Sequence, residues 1–154
     1  MPDNFKQYLE EARMADLYHG TSPYNCYQIL MKNSMVGFGS VKPAISFSRR
    51  QKTARLFGPC VIIMNQRKLS QRYKIVPYNY WANYSNNTFT RLSGDDFGKD
   101  PYTKNEYEET VLAKEIKPFD KYVKQIIIDE KRVDKKLLEY IKNFCELRRI
   151  PLEI

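Results

Sequence analysis

Residues 17–30 read LYHGTSPYNCYQIL and contain the only histidine of the 154-residue chain. Two elements meet here. A short strand is expected over 16–19, ending at His19. Ser22 can accept a hydrogen bond at a helix N-cap, and Pro23 suits the first helical position, where a missing N–H costs nothing. The spacing therefore predicts a helix over 23–33, with Tyr27, Leu30 and Met31 as its buried stripe. Gly20 and Thr21 are left at a turn between strand and helix, beside an imidazole and two hydroxyls.

Working outward, FKQYLEEARMAD predicts a helix over 4–16 with Phe5, Leu9 and Ala12 on one side. MVGFGSVKPAISFSRR reads as a glycine-containing loop into a strand over 44–47. Ser48 is placed to cap a turn or helix through QKTARLFG, which Gly58 and Pro59 stop. CVIIMN (60–65) and YKIVPY (73–78) are apolar, β-branched strands joined by a turn or single helical turn. Residues 79–105, rich in Asn, Ser, Gly, Asp and Tyr, form a long loop of the kind that is more often functional than idle. Further strands are expected over 110–116 and 125–129, then an amphipathic helix over 133–148 carrying Leu137, Leu138, Ile141 and Cys145. PLEI closes the chain as a short strand. There are no repeats and no linker-like tract. The pattern is a single α+β domain over 1–154.

Apolar residues make up 42% of the chain and charged residues 29%, a globular balance. No apolar run approaches the roughly 20 residues of a membrane span, and the N-terminal stretch lacks the apolar core of a signal peptide. Cys26, Cys60 and Cys145 are odd in number, widely spaced and form no CxxC. That favours reduced thiols in a cytoplasm, and argues against a disulfide framework or a metal. The formal charge is +8 and unevenly spread: residues 17–94 hold eleven bases and no Asp or Glu, whereas the remainder nets −3. Such asymmetry points to an anionic partner, whether phosphate-bearing small molecule, nucleic acid or acidic protein. Twelve aromatics share the basic stretch and serve either base stacking or a core.

Three short motifs stand at the edges of expected strands: His19-Gly20-Thr21, Ser46-Phe47-Ser48 and Glu106-Tyr107-Glu108-Glu109. Each is common alone. In this order and at these separations they resemble the ADP-ribosyltransferase superfamily, over roughly residues 18–116. LYHGTS matches that family's His-Gly-Ser/Thr strand end. Ala44-Ile45-Ser46-Phe47-Ser48 approximates its second motif, and Glu106-Tyr107-Glu108 its Gln/Glu-x-Glu. The layout is similar to that of small phage-encoded members, which implies a toxin-like effector in a host-cell cytoplasm.

The resemblance implies split antiparallel β-sheets forming an NAD cleft, with flanking helices and the C-terminal amphipathic helix. It also implies NAD as substrate, no metal, and a protein or nucleic-acid acceptor. Cleaving the nicotinamide–ribose bond builds up positive charge on the sugar, which a nearby carboxylate stabilises. Glu108 is the first candidate, followed by Glu109 and Glu106. By resemblance, His19 would bond a ribose hydroxyl, Gly20 the nicotinamide amide, and Thr21 the adenosine side. Ser46 and Ser48 would brace the glutamate and ribose, and Arg49, Arg50 or Arg55 would meet the pyrophosphate. A neutral imidazole can donate from one nitrogen and accept at the other, which suits a ribose diol. Where one branch of the family stacks a Tyr on nicotinamide, this chain has Ser46, leaving Tyr73, Tyr78, Tyr80 or Tyr107 for that role. On a strand Glu108 and Glu109 point to opposite faces, so one alone can face a cleft. A non-catalytic basic module docking on nucleic acid or a host protein is the alternative. An RNA 2′-phosphotransferase-like enzyme lacks enough of its basic and His signatures here.

Overall fold

The computed structural model describes residues 16–37, 43–77 and 108–154. The helix expected upstream of the first strand and the loop expected over 79–105 lie outside the described residues. In chain order the elements are β1 (Asp16–Thr21), α1 (Pro23–Lys32), β2 (Met35–Val36), β3 (Ile45–Ser48), α2 (Gln51–Ala54) and a 3₁₀ turn (Arg55–Phe57). They continue with β4 (Cys60–Asn65), α3 (Gln66–Ser70), β5 (Lys74–Pro77), β6 (Glu108–Leu112) and β7 (Glu115–Ile116). The chain ends with α4 (Phe119–Tyr122), β8 (Val123–Ile128), a 3₁₀ turn (Glu130–Arg132), α5 (Lys135–Leu147) and β9 (Leu152–Glu153).

The expected α+β class is present. Seven strands form one sheet in the order β5-β6-β3-β1-β4-β8-β9, antiparallel at every pairing except β8–β9, and β2 and β7 form a separate antiparallel ribbon. β4 lies near the middle and is buried on both faces, as its unbroken apolar run requires. Leu17, Phe47, Cys60, Ile62, Met64, Val111 and Ile126 belong to the main core, with the inner stripes of α1 and α5. Val61 and Ile63 turn the other way and pack with Ala54, Tyr18 and Ile127 in a smaller cluster. The period-2 alternation of β4 thus supplies a core to each face of the sheet.

α1 begins as its sequence directs. Ser22 Oγ accepts from the Asn25 N–H at 3.1 Å, Pro23 follows, and Asn33 closes the helix in the left-handed region at φ 53°. Its buried residues are Cys26, Ile29 and Leu30, while Met31 is 38% exposed. The expected stripe is thus displaced by about one residue, roughly 100° of helix rotation. The cause is aromatic packing: Tyr27 lies half-buried, 5.9 Å from the rings of both Tyr140 and Phe144 on α5. A tyrosine keeps its hydroxyl wet at such an edge, leaving the deeper positions to Cys26 and Ile29.

The strand expected over 110–116 is two strands in two sheets. The Ala113 N–H bonds back to the Val111 carbonyl at 3.1 Å, and the chain then pairs Ile116 with Met35. The closing helix runs from an Asp134 N-cap, with Leu138, Ile141 and Cys145 buried. PLEI contributes Leu152 and Glu153 to a parallel pairing with β8.

Candidate functional site

β1 is bound unequally by its two neighbours. Toward β4 its register is complete, from Asp16↔Asn65 to Thr21↔Cys60, whereas toward β3 the register is the single pair Tyr18↔Ser48. The side chain of His19 reaches across beyond that pair. Its Nδ1 lies 2.7 Å from the Ser46 carbonyl oxygen. A carbonyl only accepts, so Nδ1 carries the proton and Nε2 is left as the acceptor. The ring also tilts against Phe47 at 5.5 Å. Burial lowers the imidazole pKa from its ordinary value, against the smaller opposing effect of the Ser46 bond, so the ring is neutral near pH 7. The donor nitrogen is therefore committed to Ser46, and a bound hydroxyl meets an acceptor alone. This revises the expectation that His19 offers a ligand both roles.

A cavity of about 220 Å³ opens at this place, lined by Tyr18, His19, Gly20, Ser46, Phe47, Ser48, Ala54 and Phe57. Its wall is the segment after β3, clamped to the end of β1 by two glycines. A Cβ on Gly20 would stand 1.6 Å from the Ala54 carbonyl oxygen, and one on Gly58 would stand 2.2 Å from the Thr21 carbonyl oxygen. Both contacts are with backbone that cannot swing away, so only glycine admits the approach. The glycine beside the histidine thus has a packing reason in addition to any ligand-facing one.

Of the residues singled out in the sequence, His19, Gly20, Ser46 and Ser48 line this cavity together. Ser46 is exposed; Ser48 is buried and its Oγ accepts from the Arg50 N–H at 3.1 Å. Ser48 thus steadies the strand end, although α2 takes Arg50 rather than Ser48 as its N-cap. Thr21 Oγ1 accepts from the Asn25 side-chain amide at 2.6 Å, which ties it to α1. Arg49 donates to the Glu109 carboxylate at 2.7 Å and to the side-chain Oε1 of Gln66 at 3.4 Å. Arg55 is exposed on the wall segment.

The glutamates separate. Glu109 is buried, opposite Phe47 in the β3–β6 register, and its carboxylate is taken by Arg49. Glu108 is the Cα partner of Ser48, on the strand beside the one carrying Ser46 and Ser48. Glu106 lies outside the described residues, as do Tyr78, Tyr80 and Tyr107. Tyr73 packs edge-on against Tyr122 at 5.7 Å, with its hydroxyl 3.2 Å from the Lys117 N–H, and does not line the cavity.

Tyr18, Phe47, Ala54 and Phe57 line the site without having been singled out in the sequence. Phe47 sits inside the second motif, where a residue between two polar ones reads as core, and Tyr18 immediately precedes the first. Phe57 carries a clearer signal, a large aromatic in a short basic turn. Among the described residues no group of His, Cys, Asp and Glu is arranged to hold a metal ion, and no helix is long and apolar enough to cross a membrane. Comparison of the chain with models of protein families, with curated proteins and with solved structures returns no match.

Proposed function

We propose that the protein is an NAD-dependent mono-ADP-ribosyltransferase, with the nicotinamide end of NAD in the His19 cavity and Glu108 as the carboxylate facing the reacting ribose. The observation that carries the reading is convergence. Motifs separated by 27 and 60 residues of chain fall on the adjacent strands β1, β3 and β6, with His19, Gly20, Ser46 and Ser48 around one cavity and Glu108 opposite Ser48. The single-pair contact between β1 and β3 supports a sheet that splits to admit a ligand.

A cavity of about 220 Å³ is smaller than the roughly 300–1,000 Å³ that encloses a whole drug-sized ligand. It suits one ring and its sugar rather than an entire dinucleotide. Neutral His19 would accept from a ribose hydroxyl through Nε2, fixing the sugar while Nδ1–H holds the ring to Ser46. The exposed Ser46 hydroxyl is free in its geometry to donate or accept beside it. A carboxylate at Glu108 would stabilise the positive charge that develops as the nicotinamide–ribose bond breaks. With Arg49 held by Glu109, Arg55 is the better candidate for the pyrophosphate, a fork of donors suited to bidentate contact.

The experiment is incubation of the purified protein with labelled NAD and a cell lysate, followed by separation of protein and nucleic-acid fractions. Transfer of label by wild type and its loss in His19→Ala support the reading. Equal labelling by the two, or none by either together with no release of nicotinamide, refutes it.

A further inference from the structure

The cavity wall is one short run, Arg50-Gln51-Lys52-Thr53-Ala54-Arg55-Leu56-Phe57. Thr53 and Ala54 turn inward and are buried, so the side chains left outside are cations and large apolar groups. Arg50, Lys52 and Arg55 are exposed. Leu56 is 82% and Phe57 59% exposed, and Phe57 also lines the cavity, so its ring stands at the mouth. Residues 17–94, which include the whole wall, contain no acid. Of the glutamates on β6, Glu109 is already held by Arg49.

An exposed aromatic ring flanked by cations complements a nucleobase flanked by phosphates. An acidic protein surface answers the cations, but a planar partner for the ring is not built into it as the base is into every nucleotide. A duplex would answer them too, but keeps its base faces stacked on one another. We infer that the 50–57 segment docks single-stranded nucleic acid, with one base on Phe57 and neighbouring phosphates on Lys52 and Arg55. The strand then passes across the mouth of the His19 cavity. This names the acceptor class of the transferase proposed above; it rests on that reading for the chemistry, and not for the binding.

The test is fluorescence anisotropy without NAD, using a short labelled oligothymidine, a duplex of the same length and polyglutamate. The oligothymidine is expected to bind best, with a slope of log affinity against log salt of about −1.4 for two phosphate contacts. Phe57→Ala and Phe57→Leu should each weaken binding by about 5- to 100-fold at unchanged slope, since both lose the stacking plane. Lys52→Ala and Arg55→Ala should each flatten the slope by about 0.7. All three side chains are exposed, and unchanged thermal melts will show that the variants fold. Equal binding of duplex or polyglutamate, no binding at low salt, or wild-type affinity in both Phe57 variants overturns the inference. Nicotinamide release is assayed separately, so oligothymidine binding without NAD turnover would count against the transferase and leave this surface standing.

Discussion

His19 is held in one tautomer by a carbonyl that can only accept, and this fixes what the residue can do for a ligand. Its pKa lies below the ordinary value because burial penalises the imidazolium. The unfolded chain therefore binds the proton more readily than the native one. Stability from this group is present above about pH 6.5 and is lost as pH falls through the lowered native value. Urea denaturation between about pH 7.5 and pH 5 should show wild type losing stability that His19→Gln retains. Binding of NAD, followed by calorimetry, should fall over the same acid range because Nε2 can no longer accept from the ribose hydroxyl. Gly20 makes a second, independent demand. With a Cβ placed 1.6 Å from the Ala54 carbonyl oxygen, Gly20→Ala should cost about 3 kcal/mol in a denaturant titration. Gly20→Ala with an unchanged midpoint would mean that the wall is not clamped as described.

Among the elements, β6 carries the most informative contrast. Glu108 and Glu109 are neighbours in sequence, yet Glu109 forms the Arg49 ion pair with its side chain only 11% exposed. Removing one partner of such a pair leaves a charge poorly solvated. Glu109→Gln should therefore lower stability by about 3 kcal/mol, read from chemical denaturation. The sequence already implied that two adjacent glutamates cannot share one face. That Glu109 meets Arg49 depends on β3 lying next to β6, a pairing that brings the two together across 60 residues. Other elements were legible because their signals are local. Ser22-Pro23 marks a helix start and CVIIMN a buried strand. The rotation of α1 was not legible, because Tyr27 is drawn to its position by Tyr140 and Phe144 on a helix more than 100 residues away.

For the whole molecule, long-range assembly also decides the fate of the cysteines. They are scattered in sequence and read as unrelated thiols, but α1, β4 and α5 bring all three into one core, free and buried. The Cys26 thiol donates to Cys60, which raises the pKa of Cys26 well above its ordinary value and lowers that of Cys60; burial pushes Cys145 up to about 11. A thiol reagent should accordingly find almost nothing to modify in the native protein at neutral pH and all three thiols in denaturant; fast native reaction would contradict the packing of α1 and α5. The α+β class and three of the motifs were open to reading from residue order alone. The cavity was not, since it depends on β1 being fully paired to β4 and barely to β3. That opening gives the His19 cluster its meaning, and nicotinamide release from NAD tests it most directly. Wild type should release nicotinamide, Glu108→Gln should do so about 100-fold more slowly while remaining folded, and Glu109→Gln should keep its activity wherever it is folded. No release by wild type, or release by Glu108→Gln at the wild-type rate, would contradict an NAD site at the His19 cavity.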